Sequence, residues 1–83
     1  MVTQDDHFIT LTFPEEMQHK TIKGKIWFYC PAASDKDRKM ILETNAGAQM
    51  IGRGQFEPGR YLVKIGWQEG SEAYYSEQSI TIE

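Results

Sequence analysis

The chain has 83 residues, 40% of them hydrophobic and 25% charged, with a net charge of −3 and one cysteine. That is one small domain with a single core, burying about 60% of the surface its unfolded chain exposes. The acidic balance, with basic residues scattered in sequence, argues against a nucleic-acid partner, and a lone thiol excludes both an internal disulfide and a multi-cysteine zinc site.

Residues 1–6 are polar and predict a flexible N-terminal segment, followed by a single β domain over 7–83. No run of about 18 apolar residues exists, as a membrane span requires, and the start does not read as a signal peptide. The piece therefore reads as soluble. The first strand is expected over 7–13, where Ile9, Leu11 and Phe13 share a face and Pro14 ends ladder donation. Residues 15–20 read as a polar connection with room for one helical turn. A second strand spans 22–30, with Ile22, Ile26, Phe28 and Cys30 on one parity and Lys23, Lys25, Trp27 and Tyr29 on the other. Pro31 closes it.

A loop over 32–38 leads to a third strand at 39–45, a turn at Asn45-Ala46-Gly47, and a short fourth strand near 48–52. An irregular glycine-containing stretch follows. Pro58-Gly59 then launches a strand over 60–67 in which Tyr61, Val63, Ile65 and Trp67 share one parity. After the break at 68–71 a last strand runs over 73–82. Period-2 alternation between breakers predicts half-buried antiparallel strands. The expected fold is all-β, a small immunoglobulin-like two-sheet antiparallel sandwich of six to seven strands.

No nucleophile–base pair, tuned carboxylate pair or phosphate-cradling glycine loop is present, so the sequence reads as non-enzymatic. Two other chemistries stay open. Soft ligands suit Cu(I), and Met17 and His19 would converge if their segment were extended, with His7 or Met50 as further candidates. Copper is then the one cofactor the residues suggest, and a Cu(I) carrier is the alternative function. Trp27 and Tyr29 alternate with Phe28 beside two lysines. They form either an exposed pair that marks a partner surface or a pair covered by lysine stems; Tyr75 is a weaker case of the same kind. Tyr61, Trp67 and Tyr74 are expected in the core. A cell-surface or carbohydrate-binding module is a third reading.

Three ordered stretches carry a resemblance: Ile9-Thr10-Leu11-Thr12-Phe13-Pro14, then Ile22 to Ala32, and Pro58-Gly59-Arg60-Tyr61-Leu62-Val63-Lys64-Ile65-Gly66-Trp67 with Gly70, Tyr74 and Tyr75 beyond. Together they resemble the FixH family. The resemblance implies a sandwich on the periplasmic, extracytoplasmic face of the inner membrane, anchored by an N-terminal helix outside the given sequence. It implies a non-catalytic part in assembling a C-type haem–copper cytochrome oxidase, with an oxidase subunit or a copper-transporting ATPase as protein partner. Cys30 stands where the family more often has another residue, and no site residue is carried over.

Overall fold

The structure, a computed structural model, describes residues 2–83. Seven strands form two antiparallel sheets. They are β1 (Val2–Gln4), β2 (Phe8–Thr12), β3 (Ile22–Tyr29), β4 (Arg38–Thr44), β5 (Ala48–Gly52), β6 (Gly59–Glu69) and β7 (Glu72–Ile82). One sheet has the order β1-β2-β5 and the other β4-β3-β6-β7. This is the expected immunoglobulin-like sandwich, in which consecutive strands cross repeatedly between the layers. Single 3-10 turns occupy Glu15–Met17, Ser34–Lys36 and Arg53–Gln55.

The inner faces supply one core. Ile9 and Leu11 of β2 and Ile51 of β5 meet Ile22, Ile26 and Phe28 of β3, Leu42 of β4, and Tyr61, Val63 and Ile65 of β6, all buried. Period-2 alternation in each strand puts these side chains on one side of the pleat, and their burial is the main force joining the layers. At one end Phe28 packs on Phe56 with ring centroids 4.5 Å apart, and Tyr61 meets both rings edge-on. The Tyr61 hydroxyl donates to the Glu57 carbonyl at 2.7 Å. A tyrosine early in this strand bonding back to upstream backbone is a known corner of immunoglobulin-like sandwiches. Burial first, then the nearby Cys30 thiol, hold that phenol above its ordinary pKa.

Two expectations change. Residues 2–4 are a strand rather than a frayed segment: β1 pairs with β2 in the register Val2↔Leu11, and Val2 is buried. The Gln78 side chain on β7 accepts from the Val2 N–H and donates to the Val2 carbonyl, so β1 bonds both layers. Tyr74 is 37% exposed rather than in the core. β6 and β7, at 11 residues each, are about twice the length of β2 and β5, at five each. Tyr74 stacks on Trp67 at 5.5 Å, and Phe13 also meets that indole, edge-on at 5.2 Å. The partly buried Trp67 has a sheltered indole N–H with no acceptor among the described residues.

The hairpin itself closes where expected. Glu69 pairs with Glu72, and Gly70 takes φ +62° at the first central position, where a two-residue hairpin favours glycine.

Candidate partner-binding face

The four-stranded sheet turns one face to the core and leaves the other uncovered. Parity assigns the outer side to Lys39, Ile41 and Glu43 on β4, to Lys23, Lys25, Trp27 and Tyr29 on β3, to Arg60, Leu62, Lys64 and Gly66 on β6, and to Tyr75 and Glu77 on β7. Five cationic side chains thus share this face with two strand carboxylates and, at its edge, the Asp37 carboxylate beside Trp27, on a chain whose total charge is −3. The scattered basic residues of the sequence are gathered by pairing, because strands distant in the chain are neighbours in the sheet.

Trp27 and Tyr29 do point outward, yet both are half-buried. Their rings meet edge-on at 5.3 Å. Lys64 Nζ stands 4.8 Å from both ring centres, and Lys39 Nζ lies 4.7 Å from the indole. Each cation is held electrostatically by the ring face while its stem covers apolar surface. The pair is therefore lysine-covered. The indole N–H of Trp27 also donates to Asp37 Oδ2 at 3.2 Å, and Asp37 Oδ1 accepts the Cys30 backbone N–H at 2.8 Å. Asp37 pins the tryptophan to the loop before β4, which fixes its ring. Nothing in the local spacing of the 32–38 loop singles Asp37 out for this role.

Tyr75 and Ile41 are the exposed apolar groups here, at 61% and 68%. The Tyr75 hydroxyl donates to the Glu77 carboxylate, a bond that raises the phenol's pKa above its ordinary value. One cross-strand row reads Ile41, Lys25, Gly66, Tyr75. Around its glycine lies an open depression of about 600 Å³ lined by Trp27, Ile41 and Tyr75 with Lys25, Lys39 and Lys64.

The candidate metal ligands are not brought together. Glu15–Met17 is a 3-10 turn rather than an extended segment. Met17 enters the core while His19 stays in solvent, so the convergence that extended geometry would give is lost. His7 is exposed, and Met50 is 59% exposed on β5. Cys30 is a buried free thiol. Among the described residues no three His, Cys, Asp or Glu side chains cluster as a metal site, and no helix is long and apolar enough to cross a membrane.

Compared with family models, curated proteins and solved structures, the chain matches none of them.

Proposed function

We propose that this domain is a non-catalytic docking module of the FixH kind, which helps assemble a C-type haem–copper oxidase by protein contact on the extracytoplasmic side. The observation that carries the docking part is the uncovered outer face of the β4-β3-β6-β7 sheet. It combines a fixed tryptophan, exposed Ile41 and Tyr75, and a local excess of lysine on an acidic chain. Aromatic residues are favoured at contact surfaces, and a positive patch steers a partner of opposite charge. The oxidase setting rests on the three resembling stretches, which fall on β2, β3 and the β6–β7 hairpin.

Amine-directed crosslinking in membranes that hold the assembling oxidase and the copper-transporting ATPase tests the reading. Crosslinks from Lys23, Lys25, Lys39 or Lys64 to an oxidase subunit or the ATPase are expected. Lys20, which pairs with Glu69 at 3.4 Å, and Lys36, which donates to the Pro58 carbonyl, lie off this face. Crosslinks confined to those two, or none to either partner, overturn the proposal.

A further inference from the structure

We infer that the depression over Gly66 is a receptor for a short acidic peptide segment of a protein partner. One aromatic or aliphatic side chain would sit on the glycine floor, with flanking carboxylates against Lys25, Lys39 and Lys64. This rests on the docking reading and specifies what the docked segment contains.

The glycine is the first observation. Gly70 needs its positive φ, and Gly24 needs its missing Cβ, which would fall 2.0 Å from the Gly66 carbonyl oxygen. Gly66 needs neither: its φ is not positive, and a Cβ there would meet nothing within 4 Å. Glycine weakens a strand interior and often marks where a ligand or another backbone approaches. Its effect here is to leave space between Lys25 and Tyr75, its cross-strand neighbours.

The walls are the second observation. Trp27 is fixed by Asp37, so it loses little freedom on contact, while Ile41 and Tyr75 are exposed apolar groups within reach of one anchor. Charge is the third. Lys39 and Lys64 rest on aromatic faces, and the one ion pair found among the described residues, Lys20 to Glu69, lies elsewhere. These cations favour an anionic ligand. Glu43 and Glu77 on the same face, the Asp37 carboxylate behind Trp27, and the net charge of −3 disfavour a long polyanion or an anionic bilayer. A few carboxylates beside one apolar anchor fit best.

The probe is a blocked pentapeptide with a central phenylalanine flanked by glutamates, titrated into the isotope-labelled domain and followed by amide and indole NMR shifts. Shifts should centre on Gly66, Ile41, Tyr75 and the Trp27 indole. Binding should weaken as salt rises from about 0.05 to about 0.5 M, through screening. Gly66→Val fills the floor and should weaken binding by at least about tenfold, the loss expected when an anchor pocket is closed, with the melting temperature kept or raised. Lys25→Gln with Lys39→Gln, two exposed changes, should also weaken it. The inference is overturned by absence of shifts, by equal binding of the lysine-flanked counterpart, by unchanged affinity in Gly66→Val, or by preference for anionic phosphatidylglycerol vesicles. Partner crosslinks that survive Gly66→Val would sink the receptor and leave the docking module standing. Peptide seating without any oxidase or ATPase crosslink would do the reverse.

Discussion

Asp37 shows how much one side chain can organise. Its two oxygens accept from the Cys30 backbone and the Trp27 indole, so it ties the end of β3 to the loop before β4 and holds one wall of the depression. Hydrogen bonds to a charged group are worth about 1.5–3 kcal/mol, and the half-exposed setting argues for the lower figure. Asp37→Ala should therefore cost about 2 kcal/mol in urea unfolding and shift Trp27 emission, while Asp37→Asn, which keeps an acceptor, should cost about half as much. An unchanged midpoint for Asp37→Ala would remove its structural role. The residue was not legible in sequence, because its partners lie seven and ten positions away and nothing in local spacing pairs them. Met17 and His19 show the converse. Their residue types suit soft-metal chemistry, but the segment coils and one of them is drawn into the core.

At the scale of elements, two glycines in paired strands have opposite duties. Gly24 on β3 lies against the β6 backbone, where an added methyl would sit 2.0 Å from the Gly66 carbonyl oxygen and 2.7 Å from the Trp67 Cα. Backbone cannot step aside as a flexible side chain does, so Gly24→Ala should cost about 3 kcal/mol or more, the upper range for overpacking. Gly66→Ala should be neutral or stabilising by about 0.5 kcal/mol, since alanine orders the unfolded chain and meets open space. Thermal melts of both variants check this pair; equal losses would mean that the strands pair differently. The strands β2 to β7 were readable because alternation and breakers are local signals. β1 was not, since Val2-Thr3-Gln4 is too short to alternate visibly and is held by distant partners, Leu11 and Gln78.

The whole molecule, 35 × 23 × 17 Å, has one core cluster drawn from both sheets. Neither layer can keep its apolar face dry alone, so the sheets should unfold together. Tryptophan fluorescence and far-ultraviolet circular dichroism should give one coincident urea transition with a slope of about 1 kcal/mol/M. Separated midpoints would mean that the layers melt independently. The outer face of the larger sheet stays open, as the proposed docking requires.

The amino-acid order by itself determined the two-layer β architecture, most strand positions and the inward residues, because period-2 patterning and proline or glycine breaks act over a few residues. It also set Trp27, Tyr29 and Tyr75 on the outward parity. Only tertiary structure decided that Tyr74 stays partly exposed against Trp67, that lysines cover Trp27 and Tyr29, and that cations from three strands surround Gly66. Those outcomes depend on register between strands far apart in the chain, and register is fixed by the packing of the finished core.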